Sequence, residues 1–151
     1  MFINIVIGFV LPWIICFFIF KRDLPFVLHV STIGALIAFL INELGYFMNW
    51  WYVTPKAYGV LSFIPYNIGV FAGLAVFTVH MVNHWGRSWI VIPGMTFVKT
   101  ILESILVCTG KVVYDNGWNL SLTFFSYLLA CSTGYLIYSM TQGVSIKDSG
   151  T

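Results

Sequence analysis

Lys99 and Glu103 are the two charged residues of a stretch that is otherwise uncharged and mostly apolar, from Ser88 to Cys108. They are four positions apart, so on a helix both side chains project from nearly the same face. A charge within the hydrocarbon core of a membrane costs about 3 kcal/mol or more, and it persists there when it is paired, hydrated or used. The pair therefore predicts a polar site inside a membrane.

The surrounding sequence is typical of an integral membrane protein. Of its 151 residues, 60% are hydrophobic and 8% are charged, whereas a soluble domain has about 25% charged residues. Five apolar runs are each long enough to cross a hydrocarbon core of about 30 Å. They predict an all-α bundle of about five transmembrane helices, at about residues 2–20, 25–48, 64–85, 88–108 and 120–140. We expect these helices to form one domain, residues 1–141, followed by a polar tail, residues 142–151.

The basic residues predict how the helices are oriented. Across five spans, one side of the membrane receives Lys21, Arg22, Arg87 and Lys147, and the other receives Lys56 and Lys111. Because cytoplasmic segments are enriched in Lys and Arg, we expect the N-terminus outside and the C-terminus in the cytoplasm. The expected location is the cell membrane, which the chain crosses several times.

The second helix adds further polar groups to the Lys99 and Glu103 pair. In this orientation the second and fourth helices run the same way, which brings Glu43 and its neighbour Asn42 to a similar depth. The candidate intramembrane site is therefore Asn42, Glu43, Lys99 and Glu103. Two carboxylates around one ammonium could bind a proton or cation. Alternatively, the Lys99 and Glu103 pair neutralises itself and holds helices together.

Three histidines are weak candidates for a metal site. His80 and His84 are one helical turn apart, and His29 is expected near the same side of the membrane. Two imidazoles at this spacing can bind a metal ion, but the HxxxH pattern lacks the Glu of HExxH. The favoured interpretation is three interfacial histidines, with no bound metal and no cofactor.

Catalytic motifs are missing from the sequence. It contains no GxSxG and no phosphate-binding loop. Cys16, Cys108 and Cys131 are far apart without CxxC spacing, and they are predicted to be small buried hydrophobic side chains. The sequence therefore favours a protein without enzymatic activity.

Small residues at helical spacing predict where helices approach closely. They are Gly34 and Ala38 in the second helix, Gly69 and Gly73 in the third, and Ser126, Ala130 and Gly134 in the fifth. Small side chains allow close helix packing in membranes. These stripes are expected to face the bundle interior, and the GxxxG of the third helix could instead form a homodimer contact.

The connection before the last helix carries a weak candidate ligand site. Its polar and aromatic residues are Tyr114, Asp115, Asn116, Trp118 and Asn119. Loops often bind ligands, but a turn with aromatic anchors at the membrane surface is the favoured interpretation.

Several sequence blocks together resemble a known group of proteins. They are Ile41-Asn42-Glu43-Leu44-Gly45-Tyr46 with Trp50-Trp51, Pro65-Tyr66-Asn67-Ile68-Gly69, Glu103, and Tyr114-Asp115-Asn116-Gly117-Trp118-Asn119 with Thr123-Phe124 and Tyr127. The chain resembles a family of small uncharacterised multi-spanning membrane proteins of Bacillus-type Firmicutes. The resemblance implies a bacterial cell-membrane location and about five helices, and it implies no activity.

These observations favour a non-enzymatic membrane subunit, sensor or structural component. The first alternative is a small transporter or proton- or ion-conducting protein that uses the Glu43, Lys99 and Glu103 group. The second is a membrane enzyme acting on lipid headgroups. The expected partners are the lipid bilayer and a second copy or a larger membrane complex. A net charge of +2 without a basic patch does not indicate nucleic acid binding.

Overall fold

A computed structural model describes residues 1–148 of the chain, with side chains through residue 142. Within these residues the chain forms five long helices, a short 3₁₀ helix at Lys56–Ser62 and one two-stranded sheet. The helices are α1, Phe2–Phe20; α2, Leu24–Phe47; α3, a π-helical segment Tyr66–Phe71 continued by the α-helix Ala72–Trp85; α4, Ser88–Cys108; and α5, Leu120–Asp148. All five are long and apolar enough to cross a membrane. The predicted all-α class with five helices is confirmed for this part of the chain.

Helix α5 is longer than predicted. The sequence predicts a helix that ends at Met140 and a polar tail over residues 142–151, but α5 continues to Asp148. The hydroxyl of Thr141 donates to the Ile137 carbonyl one turn earlier, so a polar side chain is accommodated without interrupting the helix. Residues 149–151 of the predicted tail lie outside the described residues.

Local interactions explain where helices begin and end. Asp23 caps α2, because its carboxylate accepts a hydrogen bond from the Phe26 N–H at 3.3 Å. Gly86 ends α3 in a left-handed conformation, with φ of 64°, which glycine adopts without steric cost. Asn119 caps α5, since its Oδ1 accepts from two backbone N–H groups of the first turn at 3.0 and 3.2 Å.

Two connections between helices, which the sequence predicts to be loops, each contain a short strand. The two strands form an antiparallel sheet. Strand β1, Trp51–Val53, lies between α2 and α3, and strand β2, Val112–Tyr114, lies between α4 and α5. Trp51 is opposite Tyr114 in the register. Strands of three residues are too short to show a period in the sequence. The sheet ties the two connections together at one end of the bundle.

Helices α2, α3, α4 and α5 form a ring in which α2 and α4 each contact both α3 and α5. Helix α1 lies outside the ring and packs mainly on α3. There, the π-helical turn Val6–Val10 of α1 faces the π-helical segment of α3. A Cβ added at Gly69 would overlap the carbonyl oxygen of Gly8. The GxxxG glycine therefore serves a contact within the chain.

The outside of the bundle is apolar and its interior contains polar side chains. Phe18, Phe47 and Trp89 are 70%, 80% and 76% exposed. The buried polar residues include Asn42, Asn67, Thr78, Thr96, Lys99 and Thr123. This distribution is the reverse of that in a soluble monomer, which rarely exposes large contiguous apolar patches.

Candidate functional site

Between the four helices of the ring lies an elongated, partly open cavity, and the space between its atoms, counted together with the adjoining open space, is about 800 Å³. Helix α2 lines it from Val30 to Asn42, and α5 lines it from Thr123 to Tyr135. With a rise of 1.5 Å per residue, each lining segment extends about 18 Å along the bundle. Lys99 and Glu103 of α4 line the cavity as well.

Lys99 is buried beside this cavity and has a weak partner. Its side chain is 8% exposed, and its Nζ donates to the Sγ of Cys131 in α5 at 3.0 Å. An ammonium group has three donors, and a thiol is a weak acceptor. Among the described residues, no other acceptor lies within hydrogen-bonding distance of Nζ. Two donors of Lys99 are therefore available to a bound molecule.

Glu103 is held by two tyrosines. Its Oε2 accepts from the hydroxyl of Tyr127 at 2.9 Å, and its Oε1 accepts from the hydroxyl of Tyr114 at 3.5 Å. Within the described side chains, Glu103 and Lys99 form no salt bridge. The expectation of a self-neutralising pair on α4 is therefore wrong, because each member binds a side chain of another element.

Glu43 does not belong to the site. Its side chain is exposed, and it does not line the cavity between the helices. Successive residues of a helix differ in direction by about 100°, and on α2 the residues that line the cavity at this level are Ile41 and Asn42. The predicted layer of Glu43, Lys99 and Glu103 is therefore corrected, since α2 is rotated so that Asn42 is the interior residue.

Asn42 connects three elements at the sheet end of the cavity. Its Nδ2 donates to Oδ1 of Asn67 in α3 at 2.6 Å. Its Oδ1 accepts from Nε1 of Trp51 in β1 at 3.1 Å. Both contacts are buried, so Asn42 contributes to the site by fixing the wall and the end of the cavity.

Tyr114 and Trp118 of the predicted loop site lie at this same end. The hydroxyl of Thr123 lies 2.8 Å from both the Tyr114 hydroxyl and the Trp118 Nε1. The Trp118 ring also lies 4.5 Å from the Trp51 ring, between centroids. Burial raises the pKa of the Tyr114 hydroxyl well above its usual value, and the nearby negative charge of Glu103 raises this pKa further. Trp118, Trp51 and Thr123 therefore line this end of the cavity, and Tyr114 packs behind Thr123.

The other three residues of the predicted loop site stabilise the connection itself. Asp115 accepts from the Asn116 N–H at 2.8 Å. The Asn116 side chain donates to the Met48 carbonyl at 3.3 Å, and Asn119 caps α5. These contacts are those of a turn that is held by its own side chains.

The histidines lie at the opposite end of the bundle. The rings of His80 and His84 are parallel, with centroids 6.4 Å apart, and the ring of Phe20 packs against His80 at 4.9 Å. His29 Nε2 lies 3.1 Å from the Thr141 hydroxyl. Among the residues that the structure describes, no three His, Cys, Asp or Glu side chains converge as a metal site.

The small residues divide into two groups. Gly73 approaches Cys16 of α1, with 3.1 Å between a Cβ built at Gly73 and Sγ, and Gly69 also faces α1. The others line the cavity, namely Gly34, Ala38, Ser126, Ala130 and Gly134, and Gly34 also packs closely on α3, since a Cβ built there would lie 2.5 Å from the Cβ of Ala75. A Cβ at Gly134 would meet its nearest neighbour, Ile37, at 3.5 Å, an ordinary contact. The α5 stripe therefore leaves space between helices, whereas close packing was expected.

Cys131 and Tyr127 are the site residues that the sequence analysis missed. Thr123, Tyr127 and Cys131 follow each other at intervals of four in α5, so they share one helix face. This interval is visible in the sequence and could have grouped them. Their partners on α4 are not visible there, since they depend on how the two helices are aligned.

No protein-family model, curated protein sequence or solved structure matches the chain.

Proposed function

We propose that the protein is a multi-pass membrane protein whose helix bundle binds a small, largely apolar molecule. It would act as a sensor or as the binding subunit of a larger membrane complex, without catalysing a reaction. The cavity between α2, α3, α4 and α5 carries this proposal. Predominantly apolar walls with a few convergent polar groups are typical of small-molecule sites.

The distribution of apolar surface supports a membrane location. Five helices are long enough to span, and their outward side chains are large and apolar. In a membrane this apolar surface would lie against lipid chains, whereas exposing it to water would be unfavourable. With the cytoplasmic side assigned from the basic residues, the β1–β2 sheet lies outside the cell. The resemblance to membrane proteins of Bacillus-type Firmicutes favours a bacterial cell membrane.

The two other functions have less support. A proton or cation carrier was expected to combine Glu43 with Lys99 and Glu103, but Glu43 is exposed and lies away from them. A lipid headgroup enzyme was expected to use the loop before α5 or the histidines. The loop side chains bond within the fold, and the histidines pack on aromatic rings and a threonine.

A photolabelling experiment tests the proposal. The purified protein in lipid nanodiscs is irradiated with a neutral alkyl diazirine, and labelled residues are identified by mass spectrometry. We expect labels on the cavity face of α5, which Ala130→Phe removes by filling the cavity. Leu129→Phe is the matched control, because Leu129 is 67% exposed on the outside of the same helix. Equal labelling of the cavity face in both variants would refute the proposal.

The proposed orientation has its own test. Cys108 is exposed at the end of α4 that leads to the sheet. In a variant with Cys16→Ser and Cys131→Ser, a membrane-impermeant maleimide should label Cys108 in intact cells. Labelling that requires permeabilised cells would reverse the orientation without affecting the cavity.

A further inference from the structure

We infer that the molecule bound in the cavity is a single-chain amphiphile with a carboxylate head, a fatty acid in chemical class, and that Lys99 binds the carboxylate. This inference rests on the proposed function, which requires only an apolar ligand. It adds the chemistry of the head group and the residue that recognises it.

Donors and acceptors are unbalanced around Lys99, at the polar part of the cavity. Lys99 is buried and donates to the thiol of Cys131 alone among the described residues. A buried ammonium with unused donors is costly, and an anionic acceptor removes that cost. A carboxylate has two oxygens that can accept both free donors.

The neighbouring polar groups do not compete with Lys99 for the carboxylate. Glu103 accepts from Tyr127 and Tyr114, so its negative charge already has donors. The indole N–H of Trp51 donates to Asn42, and that of Trp118 donates to Thr123. The unused donors among these groups are those of Lys99.

The rest of the cavity is apolar and matches the chain of such a ligand. Along α2, apolar side chains line the cavity over more than three helical turns: Val30, Ile33, Ile37, Ala38 and Ile41. Phe71, Ala75 and Val79 of α3 line it as well. An elongated apolar slot of about 18 Å fits an alkyl chain, which gains free energy from each buried methylene group.

The single positive charge at the site favours a carboxylate over a phosphate. Lys99 is the one basic residue among the lining residues of the described structure. A phosphate with two negative charges usually requires several donors, often from arginine. Glu103 lies one helical turn from Lys99, so it would repel the two charges of a phosphate more strongly than the single charge of a carboxylate. A singly charged head is therefore the better match.

Protection of Cys131 from alkylation provides the experiment. A parent variant with Cys16→Ser and Cys108→Ser retains Cys131, which lines the cavity beside Lys99. Its rate of reaction with N-ethylmaleimide is measured in nanodiscs with laurate, dodecanol or dodecyl phosphate. We expect laurate to protect at a concentration about tenfold lower than dodecanol, because it adds a charge-assisted hydrogen bond.

Variants of Lys99 identify the residue that reads the head group. Lys99→Met should abolish the advantage of laurate while dodecanol still protects, which shows that the cavity is intact. Lys99→Arg should keep the advantage. If Cys131 reacts too slowly to measure, Ser126→Cys with Cys131→Ser supplies a second thiol that lines the same cavity.

The possible outcomes separate the head group from the cavity. Equal protection by laurate and dodecanol in the parent would overturn the carboxylate inference and leave the proposed function standing. Stronger protection by dodecyl phosphate would also overturn it. No protection by any of the three, together with equal photolabelling of Ala130→Phe and Leu129→Phe, would remove the proposed function itself. Because the parent alone gives the decisive comparison, the inference is tested even if Lys99→Met does not fold.

Discussion

Lys99 Nζ lies 3.0 Å from the Sγ of Cys131, on the neighbouring helix α5. Glu103, four residues beyond Lys99, accepts from Tyr127, four residues before Cys131. The equal and opposite spacings match two antiparallel helices, in which residues one turn apart on α4 meet residues one turn apart on α5. The two charges of α4 therefore fix its alignment with α5 through two separate contacts.

Glu103 is predicted to contribute more to stability than Glu43. Glu103→Ala leaves the Tyr127 hydroxyl without its acceptor and leaves the Tyr114 hydroxyl with Thr123 alone, which should lower the free energy of unfolding by about 1–3 kcal/mol. Glu43→Ala should change it by less than about 0.5 kcal/mol, because Glu43 is exposed. Thermal unfolding in detergent micelles measures both variants. Equal losses would show that the tyrosine contacts do not hold Glu103.

The five helices could be predicted because their signals are local. Each apolar run has the length of a span. Asp23 and Asn119 mark helix starts by their side-chain caps, and Gly86 marks a helix end by its left-handed backbone. Lys99 and Glu103 could be singled out for the same reason, since a charge stands out in an apolar run without knowledge of its partners.

The partners of these charges could not be predicted, because they depend on helix rotation. A helix that is apolar on most sides has little amphipathic pattern to indicate which face is buried. The adjacent residues Asn42 and Glu43 were therefore both assigned to the interior, although α2 turns Asn42 alone inward. The contact between β1 and β2 was missed because it joins residues about 60 positions apart.

Asn42 is predicted to be one of the most sensitive polar residues. Asn42→Ala leaves the Trp51 indole without an acceptor and the Asn67 carbonyl without a donor, which should cost about 2–4 kcal/mol. Asn83→Ala is the control, because Asn83 is exposed and bonds only to Tyr138 among the described side chains. It should cost at most about 1 kcal/mol. Chemical unfolding in mixed micelles compares the two, and equal costs would contradict the buried network.

Two glycine-to-alanine substitutions should change stability in opposite directions, one through a close helix contact and the other through helix propensity. Gly69→Ala places a methyl group on the backbone of α1 at Gly8, so it should displace α1 and lower stability by at least about 1–3 kcal/mol. Gly94→Ala meets no atom within 4 Å and should raise stability by about 0.5–1 kcal/mol, since alanine favours the helix. Unfolding temperatures of the two variants would shift in opposite directions. A neutral Gly69→Ala would mean that α1 does not rest on this glycine.

Tyr114 is predicted to make stability depend on alkaline pH. In the unfolded chain its hydroxyl ionises at about pH 10, whereas burial, and then the charge of Glu103, hold its folded pKa higher. As pH rises, the unfolded chain therefore loses this proton first. The stability that Tyr114 contributes is complete below about pH 10 and is lost as the pH rises towards the folded pKa.

Tyr114→Phe should remove this contribution, so its free energy of unfolding should fall less steeply than that of the unsubstituted protein between about pH 9 and pH 11. Tyr58→Phe is the matched control, because Tyr58 is 50% exposed and has the same chemistry. The free energy of unfolding of Tyr58→Phe should change with pH as steeply as that of the unsubstituted protein. The comparison uses slopes because Tyr114→Phe also loses the contacts to Glu103 and Thr123, which lower stability at every pH. If the free energies of unfolding of the unsubstituted protein and of Tyr114→Phe changed equally with pH, the Tyr114 hydroxyl would not be the group whose ionisation opposes folding.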